Sequence, residues 1–293
     1  MRNKLIAATE LAELAARALA EDLGHGDLSP ARDITTHWIL DDGVGSARIV
    51  ARQTGVVAGL DAARCVFAQV DPTVHFLERV SDGDLVAAEA EVVSLNGPVA
   101  SLLTAERTAL NFLQHLSGIA TLTRQFAEAI QGTGSAITDT RKTTPGLREL
   151  EKRAVELGGG VNHRMGLYDA VLIKENHADA AGGVESAVSR ARRAAEAAGQ
   201  SVPIYAEARD FAEVEALLAA APDRIMLDNM SVEQMDQAVA SIRRANPHAE
   251  IEATGGITLN NVRQVAGTGV NLISVGTLTH SAPAFDYSLL LRD

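Results

Sequence analysis

Cysteine, aromatic residues and long apolar runs are scarce or missing in this chain of 293 residues. The single cysteine, Cys65, excludes an intramolecular disulfide and a cysteine-rich metal site. Aromatic residues make up only 3% of the chain, so we expect a core built mainly from Ala, Val, Leu and Ile. No apolar run approaches the roughly 20 residues that a membrane-spanning helix needs. Residues 5–22 have amphipathic helical spacing, which predicts a folded helix rather than a signal peptide. Because the chain has a single cysteine, we expect a reducing, cytoplasmic location.

Lysine is also rare, and its distribution is uneven. The chain has 26 basic residues, of which four are lysines (26 − 4 = 22 arginines), while the net charge is −12. The acidic balance argues against a nucleic-acid partner, because such proteins usually carry a basic surface. Three of the four lysines lie between residues 138 and 177, where seven basic residues outnumber four acidic ones from Arg141 to Lys174 (7 − 4 = +3). A local positive patch on an acidic protein predicts a binding site for a small anion. The lysines are Lys4, Lys142, Lys152 and Lys174.

The first part of the chain predicts a small α+β unit followed by a long helix. Strands are predicted within 46–60, 75–80 and 90–103, and a helix at 62–70. The long helix is predicted from Ala105 to Gln131, with an interruption near Ser117–Gly118.

After Gly132 the pattern alternates between strands and helices, which predicts parallel strands with crossover helices. Strands are predicted at 136–139, 169–174, 203–207, 224–228, 250–254 and 271–275. Helices are predicted at 147–157, 182–198, 210–220, 231–245 and 259–266. In the first of these helices Glu149, Glu151 and Arg153 are interpreted as an exposed charged face.

Polar residues at the strand ends favour a β/α barrel over an open doubly wound sheet. Each apolar run leads into a polar group, whereas an open sheet would concentrate such groups at one switch point, usually beside a glycine fingerprint. No G-x-G-x-x-G follows the first strand. The strand ends carry Arg141 and Lys142, Lys174, Glu207, Asp228, Thr254 with Gly255, and Gly276.

Three groups of residues at these ends are candidates for a site. Arginine forks and lysine or histidine point charges suit carboxylates and phosphates, although surface salt bridges are the alternative. The cationic group comprises Arg141, Lys142, His163, Arg164 and Lys174. Two carboxylates, Glu207 and Asp228, suit Mg²⁺ carried in with a diphosphate; alternatively they form salt bridges with the lysines. The third group, the Thr254–Gly256 and Gly276 loops with a helix expected from Leu259, suits a phosphate, or it reflects simple turn chemistry.

Seven segments, covering most of the chain, resemble the quinolinate phosphoribosyltransferase family. The resemblance is most specific in the segment at 139–177, DTRKTTPGLRELEKRAVELGGGVNHRMGLYDAVLIKENH. The others are EDLGHGD (21–27), GVVAGL (55–60), AERTALNFLQHLSGIAT (105–121), IMLDNMS (225–231), EATGGI (252–257) and ISVGTLTHSAPAFDYSL (273–289).

The resemblance implies a reaction, a fold and a set of residue roles. Quinolinate and phosphoribosyl pyrophosphate would give nicotinate mononucleotide, pyrophosphate and CO₂, in the biosynthesis of NAD. The fold would be α/β: a TIM-like, irregular β/α barrel at 116–277 after an open-faced α+β sandwich domain at 1–115, which the tail from about 278 to 293 joins. By itself Arg107 reads as an ordinary helix arginine, but in this family it would reach the active site of a homodimer partner; hexamers are a further possibility.

The implied roles divide the site into two ends. Arg107, Arg141, His163, Arg164 and Lys174 would hold the dicarboxylate. Lys142, Glu207 and Asp228 would face the ribose and the Mg²⁺-pyrophosphate, with Lys142, Lys174, Glu207 and Asp228 as the catalytic set. Thr254, Gly255 and Gly276 would bind the 5′-phosphate.

The sequence departs from the family pattern at three places. The loop after Asp27 looks longer, Tyr205 stands where a further acidic residue is common, and Thr254 stands where Ser is frequent. Two other functions stay open: a related enzyme of the type found in molybdenum-transport loci with a different acceptor, and a non-catalytic anion-binding protein on the same barrel. The complete set of dicarboxylate ligands argues against the related enzyme. The complete set of catalytic residues argues against the non-catalytic protein.

Overall fold

The computed structural model describes residues 7–292 of the chain. Lys4 and the first two residues of the helix predicted at 5–22 lie outside this range. The helices are α1 (Ala8–Leu23), α2 (Ile34–Ile39), α3 (Leu60–Val70), α4 (Val99–Ala129), α5 (Arg148–Leu157), α6 (Glu175–Ala181), α7 (Val184–Ala197), α8 (Phe211–Ala220), α9 (Val232–Ala245), α10 (Val262–Gly267) and α11 (Thr277–His280). The strands are β1 (Val44–Ala51), β2 (Gly55–Val56), β3 (His75–Glu78), β4 (Leu85–Val86), β5 (Glu91–Pro98), β6 (Ala136–Thr138), β7 (Val171–Ile173), β8 (Ile204–Ala208), β9 (Arg224–Asp228), β10 (Glu250–Thr254), β11 (Leu272–Ser274) and β12 (Tyr287–Arg292).

The chain divides into two units. Unit 1 comprises the chain up to Leu122, Glu149–Gly158 and the segment from Ala282 onward. Unit 2 comprises Thr123–Arg148 and Gly159–Ser281. Helix α5 therefore groups with unit 1, although the expected domain boundaries assign it to the barrel.

Unit 1 is built on an antiparallel sheet with the strand order β12-β1-β5-β3. Ile49 at the centre of β1 pairs with Leu289 on one side and Val93 on the other. Its core joins these strands to α1, α3 and α4 through fully buried side chains such as Leu19 and Phe67. The predicted small α+β unit is confirmed, including its intervening helix.

Two predictions about the long helix are wrong. Residues 99–103, predicted as strand, form the first turns of α4, which begins directly after Pro98 because proline ends the ladder and is compatible with a helix start. The helix also runs without interruption through Ser117–Gly118. Here the small residues allow close approach instead of a break: Ser117 Oγ accepts a hydrogen bond from the Ala58 N–H at 2.9 Å, and a Cβ at Gly118 would overlap the Pro283 carbonyl oxygen.

The interpretation of α5 as an exposed charged helix is wrong for Glu151. That side chain is 0% exposed, and its carboxylate lies 2.7 Å from His115 Nε2. Glu149 is exposed as expected, whereas Arg153 is half-buried and faces Asp82. A buried carboxylate needs such partners, so this helix face belongs to the interior of unit 1.

Unit 2 contains the predicted β/α barrel. Its six strands are parallel in the order β6-β11-β10-β9-β8-β7, and each lies where a strand was predicted. Val161 forms a further parallel bridge with Thr138 on the other side of β6. Among the described residues the barrel therefore has six strands instead of the usual eight, and the predicted irregular TIM-like fold class is confirmed.

Within residues 7–292, three short α-helices were not predicted: α2, α6 and α11. The loop after Asp27 contains α2, whose N-terminus is capped by Asp33 accepting a hydrogen bond from the Thr36 N–H at 3.1 Å. In α6 the chain turns into a helix directly after Lys174, before the predicted start at 182. Helix α10 starts at Val262, three residues later than predicted.

Candidate functional site

The carboxyl ends of β6–β11 gather most of the candidate residues at one end of the barrel of unit 2. Parallel strands bring the residues that follow them to the same edge. Asp228 at the end of β9 pairs in register with Thr254 at the end of β10. The remaining candidates of unit 2 lie in β8, after β6, β7, β10 and β11, or after the bridge residue Val161, and they are Arg141, Lys142, His163, Arg164, Lys174, Glu207, Gly255 and Gly276.

Lys174 and Glu207 form an ion pair, with 2.8 Å between Nζ and Oε1. The Lys174 side chain is 52% exposed, whereas that of Glu207 is only 9% exposed. Burial raises the pKa of Glu207; the hydrogen bond and charge of Lys174 oppose this, and the nearby charge of Asp228 adds to it. The pair contributes little to stability because its lysine is in solvent, but it leaves a carboxylate whose ionisation depends on its neighbours.

The backbone of Lys142 is held on both sides. Its N–H donates to Thr140 Oγ1 at 3.0 Å, and its carbonyl accepts from Thr279 Oγ1 at 2.7 Å. The side chain is exposed, and no carboxylate among residues 7–292 lies within 4.0 Å of its ammonium. The alternative interpretation of Glu207 and Asp228, as salt-bridge partners of Lys142 and Lys174, therefore holds among residues 7–292 only for the pair of Lys174 with Glu207. Lys142 presents an ammonium to solvent at the barrel end.

The loop between α5 and β7 holds His163 and Arg164 in place. Asp139, fully buried after β6, accepts a hydrogen bond from the His163 N–H at 2.9 Å. The Arg164 N–H donates to His163 Nδ1 at 2.7 Å, and its guanidinium donates to the Ala170 carbonyl at 2.9 Å. Burial and the charge of Arg141 lower the pKa of Arg164. Two guanidinium groups therefore lie within electrostatic reach of each other, an arrangement that a bound dianion would relieve.

Below His163 lies a polar cluster that was not predicted. Glu252, in the middle of β10, is 0% exposed and its Oε2 lies 3.5 Å from His163 Nε2. Arg224 donates to the same oxygen at 2.7 Å, and its guanidinium stacks 4.1 Å from the centre of the Tyr205 ring. The rings of Tyr205 and His163 in turn pack nearly perpendicular to each other, with 5.5 Å between their centroids. Tyr205, at one of the expected departures from the family pattern, is thus part of this cluster.

The glycine loops after β10 and β11 have packing reasons of their own. Gly255 has a φ of 87°, and a Cβ there would overlap the side-chain oxygen of Asn229. Asn229 itself has a positive φ of 54° and donates its N–H to the Thr254 carbonyl at 2.9 Å. A Cβ at Gly276 would lie 3.2 Å from Lys142 Cδ. The loops combine tight turns with exposed backbone, which suits an approaching phosphate, but α10 is too short and starts too late to add a helix dipole.

Arg107 belongs to unit 1, where it is exposed on α4. Within residues 7–292, no group of three or more His, Cys, Asp or Glu side chains is placed to hold a metal ion. The same residues include no helix with the length and apolar character needed to cross a bilayer.

Comparison with known proteins gives matches over most of the chain. The family models described as the N-terminal and C-terminal domains of quinolinate phosphoribosyl transferase match residues 33–117 and 119–290. A probable nicotinate-nucleotide pyrophosphorylase (carboxylating) of Synechocystis is 44% identical over 275 residues, covering 92% of this chain and 89% of the relative. A protein of Mycobacterium leprae with the same name, without the word probable, is 42% identical, with 93% and 94% covered. The solved nicotinate-nucleotide pyrophosphorylase from Francisella tularensis superposes with a TM-score of 0.90 at 38% identity, covering 99% of this chain and 98% of the other.

Proposed function

This chain belongs to the quinolinate phosphoribosyltransferase family, and we propose that it transfers a phosphoribosyl group from phosphoribosyl pyrophosphate to quinolinate. Decarboxylation accompanies the transfer, so the products are nicotinate mononucleotide, pyrophosphate and CO₂, a step of NAD biosynthesis. The chain is accordingly an enzyme of the pentosyltransferase class. The observation that carries the proposal is the meeting of cationic and carboxylate side chains at one end of the barrel.

The dicarboxylate end is assigned to Arg141, His163, Arg164 and Lys174. Quinolinate is a dianion, and guanidinium groups bind carboxylates through two parallel hydrogen bonds. The proximity of Arg141 and Arg164 supports this assignment, since two like charges are relieved by a dianion between them. When the bond from C2 to the 2-carboxylate breaks and CO₂ leaves, the electron pair stays on C2, where the adjacent quaternised ring nitrogen stabilises it by its positive charge, and a proton from water then adds to C2.

The transfer end is assigned to Lys142, Glu207 and Asp228. The transition state has oxocarbenium character, so carboxylates near the sugar stabilise its positive charge while an ammonium stabilises the leaving pyrophosphate. The exposed, unpaired Lys142 ammonium suits the leaving group. Thr254, Gly255 and Gly276 are assigned to the 5′-phosphate, which their backbone N–H groups would bind.

Mg²⁺ is proposed as the cofactor, held by Glu207 and Asp228 and mainly by the pyrophosphate. The donor set fits: two carboxylates within electrostatic reach of each other suit an ion that keeps substrate oxygens and water as its other ligands. When bound, Mg²⁺ would neutralise charge that develops on the pyrophosphate.

A direct assay tests the reaction. Purified protein with Mg²⁺, phosphoribosyl pyrophosphate and quinolinate should form nicotinate mononucleotide and CO₂, and nicotinic acid in place of quinolinate should give no product. Lys142→Ala should abolish product formation and serves as the control for contaminating activity. Turnover of a different acceptor would point to the related enzyme type, and binding without turnover to the anion-binding protein; either result would overturn the proposal.

We further propose a homodimer in which Arg107 completes the dicarboxylate site of the partner subunit; a hexamer built from such dimers is compatible with it. The exposure of Arg107 on α4 supports this role. Inactive Arg107→Ala and inactive Lys142→Ala proteins, dissociated and reassociated together, should recover activity. A mixed dimer would have one site with both defects and one with neither, so random pairing restores up to about a quarter of wild-type sites. Mixed dimers that form but stay inactive would show that Arg107 does not act across the interface.

A cytoplasmic location is part of the proposal, supported by the use of only one cysteine.

A further inference from the structure

The large apolar side chains of α2 face solvent instead of the core of unit 1. Trp38 is 76% exposed, and Ile34 and Ile39 are exposed as well. Ile34 and Trp38 are four residues apart, so they lie on the same face of the helix. Single exposed apolar residues are common, but a contiguous group of this size marks an interaction surface. We call these three residues the α2 cluster.

Hydrogen bonds hold α2 beside the part of α4 that carries Arg107. Asp33, which caps α2, accepts a hydrogen bond from Thr104 Oγ1 at 3.4 Å. It also accepts one from Thr36 Oγ1 at 2.5 Å, within α2 itself. Thr104 lies three residues before Arg107, and residues at this spacing are neighbours on a helix surface. The α2 cluster therefore lies close to the exposed arginine on unit 1.

A second exposed apolar pair, Leu167 and Tyr168, lies at the dicarboxylate end of unit 2. Tyr168 is 78% exposed and Leu167 is 73% exposed. Their loop is ordered by Asp169, whose carboxylate accepts hydrogen bonds from the N–H groups of Met165 at 2.6 Å and Gly166 at 2.9 Å. The Tyr168 ring packs so closely on Gly166 that a Cβ there would overlap it. The loop thus presents two large apolar side chains in a fixed arrangement.

The charges beside the two surfaces have opposite signs. Asp41 and Asp42, both exposed, follow directly after α2. The Leu167–Tyr168 pair lies between residues that contact cationic groups: Arg148 donates to the Met165 carbonyl at 3.2 Å, and Arg164 donates to that of Ala170. Opposite charges around two apolar surfaces favour their association and fix its orientation.

We propose that the α2 cluster of one subunit packs against Leu167 and Tyr168 of its homodimer partner and thereby orients Arg107 at the partner's dicarboxylate end. This inference rests on the proposed function, in which Arg107 reaches that end. A dimer that places Arg107 there brings the surface beside it, the α2 cluster, to the loop that follows Arg164. Two-fold symmetry gives two such contacts in each dimer. Each aromatic side chain buries roughly 150–250 Å² when covered, so Trp38 and Tyr168 form the apolar centre of the contact.

The fluorescence of Trp38 reports directly on this contact, because the chain has no other tryptophan. In the full-length dimer its emission should be that of a tryptophan shielded from water. Tyr168→Glu, which places a charge opposite the α2 cluster, should shift the emission to longer wavelength. Leu85→Glu is the control, because Leu85 is exposed elsewhere, on β4, and should leave the emission unchanged. Wild-type emission like that of the unfolded protein, or no shift in Tyr168→Glu, would overturn the proposal.

Cross-linking identifies the surface that covers Trp38. In a Cys65→Ser background, Trp38→Cys combined with Tyr168→Cys should give covalent dimers with a short bismaleimide. Leu77→Cys in place of Trp38→Cys is the control, since Leu77 is an exposed apolar residue of β3 in the same unit. The absence of covalent dimers, or an equal yield in the control, would overturn the proposal.

Sedimentation measures the strength of the contact. Trp38→Ala should raise the dissociation constant of the dimer by at least about thirtyfold, the effect of removing a central aromatic residue from an interface. An unchanged constant would overturn the proposal. None of these measurements requires turnover. A protein with the expected contact but without nicotinate mononucleotide formation would refute the reaction alone, whereas a fully active monomer would refute the contact alone.

Discussion

Replacing Arg141 by alanine should weaken quinolinate binding by at least about tenfold and leave phosphoribosyl pyrophosphate nearly unaffected. Arg141 is half-buried, and its Nε is buried with no hydrogen-bond acceptor among residues 7–292. A buried donor of this kind costs roughly 1–3 kcal/mol until something satisfies it. A substrate carboxylate would supply the acceptor and, at the same time, reduce the repulsion between Arg141 and Arg164.

The size of this loss in affinity follows from the desolvation of the ion pair between Arg141 and a substrate carboxylate. Removing one partner of a desolvated charge pair costs roughly 2–5 kcal/mol, and about 1.4 kcal/mol corresponds to a factor of ten in affinity. The lower limit of that range gives about thirtyfold. Because part of the Arg141 side chain remains in contact with solvent, we expect a smaller effect and place the threshold at about tenfold.

Isothermal titration of each substrate into the variant measures this difference. Arg209→Ala is the matched control: it removes the same charge just after β8, but Arg209 is already paired with Asp179 at 3.0 Å and with Glu213. The control should bind quinolinate within about twofold of the wild type, as is usual for exposed ion pairs. Equal weakening of both substrates in Arg141→Ala, or equal effects of the two variants, would refute the assignment of Arg141 to the dicarboxylate.

Other substitutions test the transfer end and the stability of unit 1. Asp228→Asn should lower kcat and leave quinolinate affinity unchanged; full activity at limiting Mg²⁺ would contradict a role at the metal side. Lys174 opposes the burial-raised pKa of Glu207, so Lys174→Met should raise that pKa further. Glu207 should then lose its charge at a higher pH, so the acidic limb of the residual activity, measured as kcat against pH, should shift to higher pH. An acidic limb at the same pH as in the wild type would contradict the coupling. Glu151→Ala should destabilise the protein by at least about 2 kcal/mol in urea unfolding, because it removes a fully buried hydrogen-bonded carboxylate, whereas exposed Glu149→Ala should stay within about 0.5 kcal/mol.

The barrel could be predicted because its signal is local. Each strand of unit 2 is a short apolar run that ends in a polar residue, and both features are visible without knowledge of the fold. The short helices α2 and α6 were missed since six or seven residues span at most two turns, too few for a helical period to be recognised. Ser117 and Gly118 of α4 pack against Ala58 and Pro283, which are distant in the sequence. These contacts cannot be seen in the local pattern, so the two small residues were wrongly interpreted as a break in the helix.

Buried charged residues mark the limit of prediction from composition alone. Glu151 lies on a helix rich in charge and was interpreted as exposed, yet it is buried against His115. The sequence of a charged helix does not indicate which polar residue finds a tertiary partner. Such a partner decides burial, because a carboxylate without one would strongly disfavour the folded state.

The polar cluster below His163 does have a sequence signal, which comes from the period of the strands. Successive side chains of a strand point to opposite faces, so the residue two positions before a strand-end group faces the same side. Counting back from Glu207 gives Tyr205, and counting back from Thr254 gives Glu252. Both lie one layer below the barrel end, where they contact His163. The two residues that contact His163 from within the barrel could therefore have been found by stepping back two positions from Glu207 and Thr254, whereas the same step from Asp228 gives the apolar Met226.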